Sequence, residues 1–156
     1  MPRFLTAALA CAMLAAAAGA LAQKLPGVEW VTVGRAGSVL IEYTRSVLRR
    51  GTDGFVVAFS RTSLVDGIDD ARRQRIAALQ AAGLSAKGYE RYLRQMRRSE
   101  FDCAARRVRS LAVTDFDEAG TVLAWVSSEG AEAAWTDVPA GSIGAKLLDA
   151  VCAAAA

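Results

Sequence analysis

From residue 29 onward the chain breaks into short runs in which apolar and polar positions alternate, a period of two that predicts strands. Glu29-Trp30-Val31-Thr32-Val33 ends at Gly34, and Ser38-Val39-Leu40-Ile41-Glu42-Tyr43 starts after Gly37. Gly54-Phe55-Val56-Val57-Ala58-Phe59 follows Thr52-Asp53, a turn signal with hairpin character. Runs this short and this closely spaced suggest an antiparallel meander. At Asp69 the period lengthens to that of a helix. Ala71, Ile76 and Leu79 stand among Arg72, Arg73, Arg75 and Gln80, with Asp69 and Asp70 suited to the start and Gly83 to the end. Tyr89, Tyr92, Leu93 and Met96 then fall at i, i+3, i+4 and i+7, with Arg91, Arg94 and Arg98 on the other face. The two runs predict a helical insertion over residues 69–98.

Strands are expected again over 99–103 and 107–113, where basic or polar residues alternate with apolar ones. Phe116-Asp117-Glu118-Ala119-Gly120 reads as a tight turn, and residues 121–126 as the returning strand. After a loop of small residues, Ser142 is a good helix N-cap. Ile143, Lys146, Leu147, Ala150 and Val151 then repeat at helical spacing up to Cys152. The fold class expected is α+β: a single antiparallel sheet of about six strands, a helical insertion in the middle, and a C-terminal helix tied to the sheet.

The first 22 residues differ from the rest. Arg3 precedes an uncharged apolar stretch from Phe4 to Leu21, and Ala20-Leu21-Ala22 stands before Gln23. That order predicts a signal peptide over 1–22 and a working domain over 23–156. A retained membrane helix would carry a basic cluster after the apolar run, where only Lys24 stands, and its Ala-rich run is weakly apolar. Lipidation at Cys11 would leave too short an apolar region ahead of the cut. In an oxidising compartment the two remaining cysteines, Cys103 and Cys152, read as one disulfide, against the competing reading of two buried free thiols.

Charge is polarised along the chain. Residues 70–109 carry eleven Lys or Arg against four Asp or Glu, whereas 110–156 carry one against seven. Arg91, Arg94 and Arg98, interleaved with Tyr89, are the candidate binding residues, suited to sulfated polysaccharide, anionic lipid headgroups or an acidic stretch of protein. Nucleic acid is not expected, because an exported protein rarely meets it. A solvated face that offsets the acidic C-terminal third is the competing reading of the same arginines. Among the tryptophans, Trp30 and Trp125 are expected to pack in the core, and Trp135 is the candidate for exposure.

Catalytic chemistry finds little support. The chain has no histidine, which removes Ser-His-Asp, Cys-His and every His-containing metal arrangement. Asp115, Asp117 and Glu118 cluster, but calcium asks for six or more oxygens on a loop with alternating acids. Gly141-Ser142-Ile143-Gly144-Ala145-Lys146 lacks the spacing of a phosphate loop. No enzyme, cofactor or metal is expected.

The order of residues resembles the surface-adhesin protein E-like domain of bacterial exported proteins. Trp30-Val31-Thr32-Val33-Gly34, Phe101-Asp102-Cys103-Ala104-Ala105-Arg106 and Phe116-Asp117-Glu118-Ala119-Gly120 carry the resemblance. Trp135-Thr136-Asp137-Val138-Pro139-Ala140-Gly141-Ser142 and Leu148-Asp149-Ala150-Val151-Cys152 carry it most closely. It implies an antiparallel sheet of about six strands with a C-terminal helix tied back by the Cys103–Cys152 disulfide. It also implies a non-enzymatic module that contacts extracellular matrix or another macromolecule. The alternative expectation is a structural or accessory protein of the bacterial envelope with no host ligand, residing in the periplasm, at the outer surface or outside the cell.

Overall fold

The computed structural model describes residues 28–128 and 133–156; the signal segment expected over 1–22 lies outside the described residues. The elements run β1 (Trp30–Ala36), β2 (Val39–Thr44), β3 (Arg49–Arg50), β4 (Val56–Leu64), α1 (Ile68–Ala81), β5 (Tyr92–Asp102), β6 (Arg107–Asp117), β7 (Val122–Ser127), β8 (Thr136–Asp137) and α2 (Ile143–Ala154). The strands form one sheet in the order β1-β2-β4-β5-β6-β7, each pair antiparallel, with β3 added to β4 and β8 to β6. The α+β expectation holds in its sheet, its central helix and its C-terminal helix.

Successive side chains of a strand point to opposite faces, so the pairing register sorts the sheet into two sides. Ile41 and Tyr43 on β2, Val56, Ala58 and Ser60 on β4, and Phe101 on β5 share one side. Both helices sit there. Leu148 and Val151 of α2 are 1% and 0% exposed and pack with Tyr43, Val56, Ala58 and Phe101. Burying each such side chain is worth about 1.5–3 kcal/mol. Ser142 starts this helix as the sequence predicts, its Oγ accepting from the Ala145 amide at 3.0 Å. A second core at the other end joins Leu64, Leu79, Tyr89 and Tyr92 beneath α1.

Helix α1 begins at Ile68 with Asp69 and Asp70 in its first turn, where carboxylates suit the positive end of the helix. It stops in a Schellman turn: Gly83 takes φ 70°, the Leu84 amide donates to the Leu79 carbonyl, and the Gly83 amide donates to Gln80. The second helical run does not form. A single 3-10 turn over Tyr89–Arg91 leads directly into β5, an eleven-residue strand hydrogen-bonded to β4 on one side and β6 on the other. The predicted insertion therefore contains one helix, and residues 92–98 belong to the sheet. A register shift between Tyr92 and Arg94 is the physical reason. It brings Tyr92 and Leu93, neighbours in sequence, against the same core beneath α1 and counterfeits an i+3, i+4 stripe. Gly88 makes the entry possible: it holds φ 85°, and a Cβ there would stand 2.9 Å from Leu123 Cδ2.

The disulfide forms between Cys103 and Cys152, joining the turn after β5 to α2. Among the described residues no helix is long and apolar enough to cross a membrane.

Candidate functional site

With both helices on one side, the other side of the sheet is open. On β5 the open side receives Arg94, Met96, Arg98 and Glu100. Their partners opposite are Ser63, Arg61, Phe59 and Val57 on β4, and Phe116, Thr114, Ala112 and Arg109 on β6. Trp125 pairs with Thr114 and extends this surface to β7, where its side chain is 65% exposed. Phe59, Met96, Arg98, Thr114 and Trp125, with Ala112 and Ser127, line a shallow depression of about 250 Å³.

Charge on this surface divides into neutralised and available arginines. Arg61 is held by Glu42 through two hydrogen bonds of 2.6 and 3.1 Å, and its guanidinium lies 4.2 Å from the Trp30 ring. Arg109 pairs with Glu100, and Arg107 with Asp102 at 2.7 Å. The Arg107 hydrogen bond and then the Ala105 amide hold the Asp102 carboxyl below its usual range. Arg94 and Arg98 have no carboxylate partner among the described residues. Arg94 instead lies 5.6 Å over the Phe116 ring. Four residues apart on one strand, the two cations project on the same side about 13 Å apart, with Met96 between them. Both are half-buried; Arg94 rests on the Phe116 ring, and Arg98 lines the depression with Phe59 and Trp125.

The other predicted binding residues go elsewhere. Arg91 lies in the 3-10 turn and is paired, at 3.2 Å to Glu118 and 3.5 Å to Asp117. Tyr89 is 2% exposed, and its hydroxyl donates to Asp115 Oδ2 at 2.7 Å, so it holds structure rather than ligand. Trp135 is half-buried, 4.9 Å from Phe55 and covered by Arg107 and Arg109 at 5.3 and 4.7 Å. Trp30 is half-buried under Arg61, and Trp125, expected in the core, is the exposed tryptophan among the described residues. The alternation on β7 carries that signal: Trp125 shares its side with Ser127, on an edge strand that no helix covers.

The three clustered acids are each engaged within the fold, with Asp117 and Glu118 sharing Arg91. Asp115 is buried against Arg75, Tyr89 and Gln95, and Glu118 pairs with Arg72 and Arg91. Asp117 Oδ1 accepts from the Ala119 and Thr121 amides. Burial pushes the Asp117 carboxyl up, but the Thr121 amide, the Arg91 charge and the Ala119 amide outweigh it and leave the group below its usual range.

Burial, and then Asp115, push Tyr89 up to about 12; burial and Asp115 do the same to Tyr92. Both phenols are thus raised above the ordinary value of 10.0 that applies in the unfolded chain. Their contribution to stability is fully present below pH 10 and is lost as pH rises toward 12. An alkaline absorbance titration is expected to show a late phenolate step near pH 12 to which Tyr89 and Tyr92 contribute, diminished in Tyr89→Phe. Ionisation of Tyr89 and Tyr92 near pH 10 in the folded protein would contradict the packing described here.

Compared with known proteins, the chain matches one family model, surface-adhesin protein E, over residues 47–153. No curated protein and no solved structure matches it.

Proposed function

The chain belongs to the surface-adhesin protein E family, and from that premise we propose that it is an exported, non-enzymatic module that binds an anionic macromolecule across the open side of its sheet. The observation that carries the reading is the placement of Arg94 and Arg98, without carboxylate partners among the described residues, beside Phe59, Met96 and exposed Trp125. A sheet side left without a helix and furnished with cations and an aromatic ring is a recognition surface in type. Export is supported by the signal-like order of residues 1–22 and by a disulfide, which persists in oxidising compartments. The absence of histidine and the commitment of both domain cysteines to that disulfide support a role in binding over one in catalysis.

Heparin is the probe for the ligand class, a sulfated polysaccharide of the extracellular matrix. Saturable binding that weakens with rising salt is expected. Exposed charge contacts are worth about 1 kcal/mol each at low salt, so Arg94→Ala with Arg98→Ala should weaken it roughly thirty-fold. Arg91→Ala, whose side chain is already paired, should change it little. Undiminished binding by the double variant would exclude this surface. No binding by the parent protein at physiological salt would favour the accessory envelope role instead.

A further inference from the structure

The helix-bearing side of the sheet is not fully covered. Beside the first turns of α2 a cleft of about 210 Å³ opens onto the strands. Its floor is polar: Ser60 and Thr62 of β4, and Gln95, Arg97 and Ser99 of β5. Its walls are apolar, built from Ile41, Phe101, Ile143 and Leu147. Ser99 is 1% exposed and Ser60 8%, and both side chains line the cleft. Beside the cleft, Ser110 pairs across from Ser99, and its Oγ is buried without a partner. The Ser60, Thr62 and Ser99 hydroxyls that line the cleft each offer a donor and acceptor lone pairs to a polar ligand atom.

The cation of this cleft, Arg97, is exposed at its rim and is held by one side-chain hydrogen bond. Asp115 Oδ1 accepts from Gln95 Nε2 at 2.9 Å, which fixes the amide so that Gln95 Oε1 accepts from Arg97 Nη2 at 2.9 Å. Arg97 has no carboxylate partner among the described residues and keeps donors to spare. Ile143 and Gly144, in the first turn of α2, line the same cleft, and first-turn amides have no partner inside their own helix. They bring the positive end of the α2 dipole to it. Cation, hydroxyls and helix terminus all favour a negative oxygen, while the walls favour hydrocarbon. The cleft is smaller than the range of about 300–1,000 Å³ usual for drug-sized ligands.

We propose that this cleft is a second binding site, specific for a small aliphatic carboxylate. The carboxylate sits on Arg97 with the Ser60 and Thr62 hydroxyls, and the hydrocarbon lies against Ile41, Phe101, Ile143 and Leu147. The site is separate from the open surface, since Arg97 and Arg98 are consecutive on β5 and face opposite sides. Titration calorimetry of the purified protein with hexanoate tests it, with hexanol as the uncharged control. Hexanoate is expected to bind saturably with submillimolar Kd and hexanol at least tenfold more weakly. Arg97→Gln should weaken hexanoate at least tenfold, and Thr62→Val should weaken it less. Arg98→Gln should leave hexanoate binding within twofold of the parent. Equal binding of hexanol, an undiminished Arg97→Gln, or no hexanoate binding would overturn the proposal. Heparin binding by Arg97→Gln reports separately on the open surface and is expected to persist.

Discussion

Replacing Asp115 by alanine is expected to destabilise the protein by about 3 kcal/mol and to loosen α1 from the sheet. The carboxylate is 2% exposed and serves three donors: Arg75 at 2.8 Å, Tyr89 at 2.7 Å and Gln95 at 2.9 Å. Those donors come from α1, the 3-10 turn and β5, so one side chain of β6 joins three segments. Removing one member of a buried pair strands the charge left behind, at a cost of about 3–5 kcal/mol. Arg75 is 38% exposed and can turn its guanidinium toward water, which places the expectation at the lower end of that range. Its Nε is already buried without a partner, so the helix side of the contact has little in reserve. Tyr89→Phe deletes one hydrogen bond and should cost about 1 kcal/mol. Urea unfolding measures the total, and amide exchange locates it. Early loss of protection in Ile68–Ala81 is expected, with α2 unaffected. A loss below about 1 kcal/mol in Asp115→Ala would mean that apolar packing of Leu79 and Tyr92 alone holds α1.

The chain's alternating runs, its helix signals and its cysteine pair were legible because each rests on local chemistry. Ser142 as a cap, Gly83 as a stop and the 107–113 strand needed no tertiary information. The end of β5 fell within the strand expected over 99–103, but its residues 92–98 were not legible, for a tertiary reason. β5 lies within the sheet between β4 and β6, but neither side of it is uniformly apolar: one takes Gln95, Arg97 and Ser99, the other Arg94, Met96 and Arg98. Hydrophobic periodicity reports burial, so a central strand with a cleft over one side and solvent over the other emits almost no period-two signal. The bulge at its start then supplied a false helical one. The candidate arginines fared accordingly. Residues four apart share a helix face and also a strand side, so Arg94 and Arg98 stay together under either reading, whereas Arg91, an odd step away, is lost to the turn. Trp125 was misjudged because apolar neighbours imply a core only if the strand has a covering layer. Which side α1 and α2 cover is decided by the whole fold.

Removing the disulfide, through Cys103→Ser with Cys152→Ser, is expected to cost about 4 kcal/mol and to lower Tm by roughly 15 °C. The bond closes 49 residues of sequence separation. In the chain-entropy account its main effect is on the unfolded chain, whose freedom it restricts. A second effect is local. Cys103 lies just past the end of β5 and Cys152 near the end of α2, so the bond fastens the helix to the sheet at its C-terminal half. Without it, α2 keeps Leu148 and Val151 in the core and the Ser142 cap at its other end, so the variant should still fold at room temperature. The surface pair between Arg106 and Asp149 at 2.8 Å adds little, because both side chains are about half exposed. Local opening of α2 should therefore become the weakest point, and its amides should exchange faster than those of α1. That order is the reverse of the one expected for Asp115→Ala, so the two variants together test whether the helices are fastened independently. Loss of protection in both helices at once, in either variant, would mean that the two cores unfold as one unit. A penalty below about 1 kcal/mol in the cysteine variant would assign the docking of α2 to its apolar face alone.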